Sequence, residues 1–185
     1  KLNAFINAQH LAKERAAMKE QIAHRKRELE QLTELNSTLP SLVRGYDFKP
    51  AVSILNDMMF ECPEVQAALD GKLILYRGAQ DFIKQLFDDI AAQGWSGRLT
   101  RLDAPPLDGR ITAASFKTFT ITLSRGALTV PTAQVGPEML IEMAQSMAKD
   151  KSDSTDYYRR QELIAIFAKV CGCQQIANEV AAQLM

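Results

Sequence analysis

Two sets of side chains in this sequence are of the types that bind metal ions. His10 and His24 would lie about 21 Å apart along a helix, at about 1.5 Å per residue, and therefore cannot share an ion. Cys171-Gly172-Cys173 leaves one residue between its two thiols, whereas zinc ligands usually have two to four, and no histidine lies close to it in sequence. We therefore expect no metal site.

Acid–base and nucleophilic catalysis also lack candidate residues. Asp88 and Asp89 are adjacent, so on a helix their side chains point in different directions and cannot act as a catalytic pair; we interpret both as solvated surface residues. No serine lies in the strained turn of a nucleophile elbow. The sequence thus predicts a protein that is not an enzyme and that holds no cofactor.

Composition limits the class of partner. The chain has 185 residues, 46% hydrophobic and 24% charged, as is ordinary for a globular protein. Its 22 basic and 22 acidic side chains give zero net charge, which disfavours nucleic acid and favours protein or small-molecule partners. No apolar run reaches the roughly 20 residues of a membrane-spanning helix. We expect the three cysteines to be reduced. The localisation stays open, because a leader or a membrane anchor could precede Lys1.

Residues 1–39 predict one long helix whose apolar residues recur at helical spacing while its other faces are charged. These apolar residues are Leu11, Met18, Ile22, Leu29, Leu32, Leu35 and Leu39. At about 60 Å the helix is longer than a compact body of the remaining residues, so part of it should project. It either forms a homodimeric coiled coil or folds back onto the helix at 69–90. The residues used in both arrangements are Met18, Ile22, Leu29 and Leu32.

More helices follow the first. Pro40 should end that helix, and Asp47 should cap a second one that stops at Cys62. The residues that the second helix turns inward are Val52, Leu55, Met58 and Met59. Residues 63–92 keep helical spacing across Gly71, which favours one long helix, and a short strand at 73–76 is the alternative.

Three helices are predicted near the carboxyl end, at 137–148, 157–170 and 174–184, with 149–156 as a polar connector. The first of them carries Met139, Met143 and Met147, one every four residues. Methionines at this spacing suit either an adaptable binding groove or the core, and we favour the core.

Between these helices the apolar residues alternate with polar ones. Phe119, Ile121 and Leu123 are separated by threonines, the pattern of a strand with one buried face. We expect antiparallel strands at 98–103, 110–114, 118–124 and 127–130. Residues 94–97 should form the turn that leads from helix into sheet, and 104–109 should form a loop.

These elements predict an α+β fold that is mostly helical, in which a long N-terminal helix and helical hairpins flank a small three- to four-stranded antiparallel sheet. The predicted divisions are a first helix over 1–39, a helical hairpin over 40–93, the sheet over 94–134 and a three-helix segment over 135–185. Residues 40–185 should form one compact domain.

Two segments resemble halves of a tetratricopeptide-like helical hairpin. The first runs from Tyr46-Asp47-Phe48 to Ala51 and on through Pro63-Glu64 into a long helix. The second is Ile166-Phe167-Ala168 with Gly172 and Ala177. The spacing between the two differs from the repeat length of about 34 residues, so neither is a complete repeat.

A looser resemblance covers residues 46–185. A helical hairpin, a small sheet ending in Leu128-Thr129-Val130-Pro131 and a helix opening with Gly136-Pro137-Glu138-Met139-Leu140 resemble the C-terminal region of uncharacterised bacterial multidomain proteins. Some of those proteins carry a serine/threonine protein kinase domain upstream. The resemblance implies no activity for this region, and the glycine loop and catalytic loop of a kinase are absent from the sequence.

Two surfaces are candidates for binding. The tryptophan at 95 either packs over the sheet edge or stacks on a ligand beside two arginines, and the first helix offers an apolar stripe. The residues of the two surfaces are Trp95, Arg98, Arg101, Met18, Ile22 and Leu29. The sequence predicts a non-enzymatic protein-interaction or scaffolding module of a larger bacterial protein, whose partner is another protein or a second copy of the chain. The alternative is a sensor domain that binds a small molecule near the sheet.

Overall fold

The computed structural model describes residues 2–43, 45–148 and 155–184, with side chains located from His10 onward in the first helix and from Asp156 onward in the last segment. These residues form six α-helices and one four-stranded antiparallel sheet. The helices are α1 Leu2–Leu42, α2 Lys49–Asp57, α3 Pro63–Gln93, α4 Pro137–Ala148, α5 Thr155–Val170 and α6 Gln174–Gln183. The strands are β1 Trp95–Leu99, β2 Leu107–Ala114, β3 Thr118–Leu123 and β4 Gly126–Pro131. The predicted α+β, mostly helical class is confirmed.

The sheet is a meander in which consecutive strands pair in the order β1-β2-β3-β4. Strand β3 alternates as predicted, because Phe119 and Ile121 are buried whereas Thr122 is exposed. Helix α3 packs against β2 and α4 packs against β1. A 3-10 turn at Thr132–Gln134 joins β4 to α4.

The sheet begins earlier than the sequence predicted. Gly94, with φ of 69°, ends α3 alone, and β1 starts at the next residue. Gly97 and Gly109 pair across β1 and β2, so neither lies in a turn or loop. A Cβ atom at Gly97 would lie 2.5 Å from the Trp95 ring, and one at Gly109 would lie 2.8 Å from the Thr122 carbonyl oxygen. Close packing inside the sheet therefore requires these two glycines.

Helix α1 continues through Pro40 to Leu42, so the prediction that Pro40 ends the helix is wrong. Leu39 is only 1% exposed, and its burial holds the last turn in place. The Thr38 hydroxyl donates a hydrogen bond to the Leu35 carbonyl oxygen at 2.9 Å. Tertiary packing of the leucines thus outweighs the backbone hydrogen bond that the proline cannot make.

Helix α2 begins one residue later than predicted, with Phe48 rather than Asp47 at the capping position. The Asp47 carboxylate still accepts a hydrogen bond from the Lys49 N–H at 3.2 Å. Because α2 ends at Asp57, Met59 lies beyond the helix and is 88% exposed, which corrects its predicted inward position. Helix α3 is a single helix, as predicted, and the alternative strand at 73–76 is excluded.

Buried side chains form two clusters. The larger, here termed the body core, joins α3, the sheet and α4 to α6 around Phe82, Phe119 and Phe167, and it includes the three methionines of α4. The smaller, here termed the hairpin core, joins α1 to α2 and α3. Its members are Leu32, Leu35, Leu39, Ala51, Leu55, Phe60, Val65 and Leu69. Residues 149–154 of the predicted connector lie outside the described residues.

Candidate functional site

Helix α1 has two parts that differ in their surroundings. Residues 28–42, termed the docked part, place Leu32, Leu35 and Leu39 in the hairpin core. Residues 10–27, termed the projecting part, are exposed throughout except for the half-buried His24. The whole helix has 41 residues and is about 62 Å long. A long part of α1 therefore extends beyond the body of the protein.

Four exposed apolar side chains lie along one side of α1 and form what we term the flank stripe. They are Leu11, Met18, Ile22 and Leu29, which are 48%, 63%, 62% and 44% exposed. At about 100° per residue these positions fall within about 40° of one another, whereas the body-facing residues of the docked part are centred about 90° away. The stripe therefore faces solvent even at Leu29, where α1 already contacts the body.

The carboxylate of Glu28 holds the junction between the two parts of α1. It accepts hydrogen bonds from the backbone N–H groups of Glu61 at 2.7 Å and Cys62 at 2.9 Å, and Glu28 is 6% exposed. Cys62 immediately precedes α3 and provides no side-chain cap. The Cys62 N–H is at the capping position of α3, where it has no partner inside the helix, and the Glu61 N–H is one residue earlier, so Glu28 supplies acceptors for both and the negative charge that this helix end favours.

Two weaker contacts adjoin this cap. Arg25 forms an ion pair with Glu64 in the first turn of α3. The His24 ring nitrogens lie 3.9 Å from a Glu28 oxygen and 3.6 Å from a Glu61 oxygen. Exposed ion pairs contribute little stability, so these contacts mainly orient α1. Next to them, the projecting part and the loop before α3 enclose an open cleft of about 630 Å³.

The structure separates residues of α1 that were predicted to act together. Met18, Ile22 and Leu29 are exposed on the flank stripe. Leu32 is 7% exposed and packs in the hairpin core against α2 and α3. Leu32 therefore packs as predicted for a helix that folds back onto α3. Met18, Ile22 and Leu29 do not pack in this way, and their side chains are accessible to a partner.

Trp95 does not share a surface with the two arginines. It is 8% exposed within the body core, and its Nε1 donates a hydrogen bond to the Ser146 hydroxyl at 2.9 Å. Arg98 is exposed on β1, whereas the Arg101 Nε donates to the Pro105 carbonyl oxygen at 2.8 Å. Because the Trp95 ring packs in the body core, it cannot stack on a ligand beside Arg98 and Arg101.

Arg101 lines a cavity of about 210 Å³ between the end of the sheet and α4. Glu138 and Glu142 of α4 also line it, and Leu102 and Met139 contribute apolar walls. One arginine and two glutamates therefore line this cavity, and the Arg101 guanidinium is already hydrogen-bonded to the Pro105 carbonyl oxygen.

Sequence analysis missed an ion pair between α3 and α5. The Arg160 guanidinium binds both carboxylate oxygens of Asp89, and its Nε donates to Asp156 at 2.7 Å. The hydrogen bond to Asp89 is the main cause that raises the pKa of Arg160. Asp88 is exposed, but the interpretation of Asp89 as a solvated residue is wrong, because its side chain is only 18% exposed. Asp89 lies seven residues, or about two helical turns, after the buried Phe82. This spacing could have indicated that Asp89 is on the buried side of α3.

Two half-buried thiols, Cys171 and Cys173, lie at the α5–α6 turn. Burial raises the pKa of Cys171 to about 12, and the nearby Cys173 and Glu138 add to the rise. Burial also raises the pKa of Cys173 to about 11, and its Sγ lies 3.6 Å from a Glu138 oxygen. Both thiols are therefore protonated at neutral pH and are poor nucleophiles.

Tyr46 is also affected by burial, which raises the pKa of its hydroxyl group. The hydroxyl donates a hydrogen bond to the Val135 carbonyl oxygen at 2.6 Å.

Within residues 2–43, 45–148 and 155–184, no group of three or more His, Cys, Asp or Glu side chains has the arrangement of a metal site. The helices in this part of the chain include none that is long and apolar enough to cross a membrane. No protein-family model matches the chain, and neither a curated protein nor a solved structure is significantly similar to it. A function can therefore be argued from the flank stripe and from the cavity beside Arg101.

Proposed function

We propose that this protein is a non-enzymatic protein-interaction or scaffolding module, part of a larger bacterial protein, whose contact element is the projecting part of α1. One observation carries the proposal. Leu11, Met18 and Ile22 are between 48% and 63% exposed on one side of a helix that extends beyond the body. Arg15 lies between Leu11 and Met18 on this side, and exposed apolar side chains that line up along one side of a helix are typical of contacts between proteins.

The attachment of α1 supports this role. The helix passes without a break from the docked part into the projecting part, and the cap by Glu28 fixes its direction at the junction. A contact surface on a rigid element loses little conformational entropy when a partner binds. The residues of the flank stripe are spaced by seven, four and seven positions, which is the spacing by which one side of a helix pairs with another helix.

A photo-crosslinking amino acid on the stripe tests the proposal. p-Benzoylphenylalanine in place of Ile22 should form covalent adducts with another protein chain on irradiation, in the purified protein or in a lysate of the native cells, because this side chain would lie inside the contact. The matched control has the same amino acid in place of Ala16, which is exposed about 120° away around the helix. Equal adduct yields at the two positions, or no adducts at either, would refute the proposal.

A second candidate function, a small-molecule sensor, draws its support from the cavity beside Arg101. The guanidinium group is suited to a carboxylate, and the carboxylates of Glu138 and Glu142 are suited to an ammonium group. A small zwitterion such as an amino acid carries both groups within the size of this cavity. Sites for small ligands commonly combine apolar walls with a few convergent polar groups, as this cavity does.

Thermal unfolding with a panel of amino acids and small amines tests the sensor function. A ligand present at 100 times its Kd should add about 2.7 kcal/mol to the free energy of unfolding. Glu142→Gln should abolish that shift, whereas Glu162→Gln on the exposed side of α5 should preserve it. If no member of the panel raises the melting temperature, the sensor function is rejected.

A further inference from the structure

We infer that the partner of the flank stripe is the same stripe of a second copy of this chain, paired in parallel so that both bodies lie at one end of a two-stranded coil. The inference rests on the proposed function and deepens it by naming the partner. It starts from the spacing of the stripe. In the heptad repeat abcdefg, positions a and d form the seam between two helices. Leu11 and Met18 occupy position d, and Ile22 and Leu29 occupy position a.

Two arginines share this seam, and each has an acidic neighbour. Arg25 is paired with Glu64 of its own body, so its charge is compensated there. Arg15 is exposed in the single chain. In a parallel coil, a residue at the seam position of Arg15 packs beside a flanking residue of the other chain that lies one position earlier in the sequence. For Arg15 this residue is Glu14 of the second copy. The second copy thus places Glu14 beside Arg15, and this carboxylate offsets the repulsion between Arg15 and Arg15 of the second copy, which lie opposite each other in a parallel pair.

Charges on the two sides of the stripe select the orientation. Glu14 lies about 60° to one side of the centre of the stripe, whereas Lys19 and Lys26 lie about 60° to 80° to the other side. A parallel pair with its two-fold axis along the coil brings the acidic side of each chain against the basic side of the other. Glu14 then faces Lys19 of the second copy, and symmetry repeats the contact. In an antiparallel pair like sides meet, and lysines face lysines.

The bodies leave room for this arrangement. The docked side of α1 is about 90° from the flank stripe, so the two-fold axis places the two bodies on opposite sides of the coil. Leu29, the last residue of the stripe, is 44% exposed although Glu28 beside it is buried against α3. From Leu11 to Leu29 the seam is about 27 Å long. Such a short coil should give a dimer that dissociates on dilution.

Disulfide crosslinking between full-length chains tests the orientation. In a parallel pair, Leu11→Cys alone and Leu29→Cys alone should each crosslink under mild oxidation, because each residue lies opposite its own copy. In an antiparallel pair that matches the same apolar residues, residue 11 lies opposite residue 29 and about 27 Å from its own copy, so only a mixture of the two variants can crosslink. Lys13→Cys, which is exposed on the far side of α1, is the control and should not crosslink. Mass spectrometry of tryptic peptides distinguishes these disulfides from reactions of the native thiols.

A charge exchange tests the flanking contact by sedimentation equilibrium. Lys19→Glu should raise the Kd of the dimer about five-fold, because it turns two attractive contacts repulsive, and Glu14→Lys should raise it further, because it also removes the acidic neighbour of Arg15. The double variant should recover the part of the loss that comes from the contact between positions 14 and 19, since that contact is restored with its charges reversed, but its Kd should stay above that of the wild type because Arg15 then lies beside a lysine side chain of the second copy. In an antiparallel pair the two changes act on different sides of the seam, so the double variant would not recover.

The two experiments together decide the inference. A dimer that crosslinks only between positions 11 and 29 overturns the parallel orientation. A chain that sediments as a monomer at every concentration overturns self-association, and the proposed function then stands only if position 22 still crosslinks to a different protein. Self-crosslinking at 11 and at 29, with partial recovery in the charge-exchanged double variant, supports the parallel dimer.

Discussion

The two parts of α1 have similar sequence patterns and different surroundings. Each carries apolar residues three or four positions apart, yet Leu35 and Leu39 are 7% and 1% exposed, whereas Met18 and Ile22 are 63% and 62% exposed. The difference arises outside the helix, because α2 and α3 pack against the docked part while the projecting part extends past them. Helical spacing thus specifies an apolar side of a helix but not what covers that side.

The apolar side of α1 also changes direction at the junction. Leu29 belongs to the flank stripe, whereas Leu32, three residues later, belongs to the hairpin core. The change takes place beside Arg25 and Glu28, the residues that contact the amino end of α3. One helix therefore presents one side to its own chain and, about 90° around, another side to solvent.

Truncation of one apolar side chain in each part of α1 should show the difference between them most strongly. Leu39→Ala should lower the free energy of unfolding by about 2 to 5 kcal/mol, because it leaves a cavity in the hairpin core. Met18→Ala should change it by less than about 0.5 kcal/mol, since the side chain is exposed in the monomer. Urea denaturation at a concentration that keeps the chain monomeric measures both values. Equal losses would mean that the projecting part is also packed.

Loss of the cap at the junction should have the next largest effect. Glu28→Ala leaves the N–H groups of Glu61 and Cys62 without acceptors and should cost about 1 to 3 kcal/mol. Hydrogen exchange at these two amides should accelerate in the same variant. Glu28→Gln keeps one acceptor oxygen and should lie between the wild type and alanine. Glu30→Ala, an exposed position on the same helix, is the control, and the role of the cap is rejected if it costs as much as Glu28→Ala.

The smallest effect should come from α3, the helix that supports the docked part. A Cβ atom at Gly71 would meet nothing within 4 Å, so Gly71→Ala should raise the free energy of unfolding by about 0.5 to 1 kcal/mol through helix propensity alone. A Cβ atom at Gly78 would lie 2.8 Å from the Ile166 side chain. Gly78→Ala should therefore destabilise the protein. Thermal unfolding of the two variants compares them, and a gain in both would contradict the packing described at Gly78.

The parts of the fold that were predicted from the sequence depend on local periodicity. The alternation of Phe119 and Ile121 with threonines specifies which face of β3 is buried, whatever its neighbours are. The unbroken helical spacing across Gly71 similarly predicts one helix, because a glycine at an exposed helical position costs only about 1 kcal/mol. The four residues of the flank stripe were also visible as a periodic pattern.

The parts that were not predicted depend on contacts between residues far apart in sequence. Glu28 and Glu61 are 33 positions apart, and Asp89 and Arg160 are 71 positions apart, so a local pattern can place Asp89 on the buried side of α3 but cannot identify the partner of either carboxylate. The same reason explains why the sequence could not tell which leucines of α1 are covered. A periodic stripe shows that a partner surface is needed, but the position of that surface follows from the packing of α2 and α3.

The attachment of α1 has a mechanical consequence. When the amino end of the helix is pulled along its axis, the ion pair of Arg25, the hydrogen bonds of Glu28 and the leucines of the hairpin core carry the load together. When the same end is pulled sideways, these contacts carry the load one after another, and the helix separates from α3 beginning at Arg25. The joint between helix and body therefore resists tension along the helix more strongly than it resists bending away from the body.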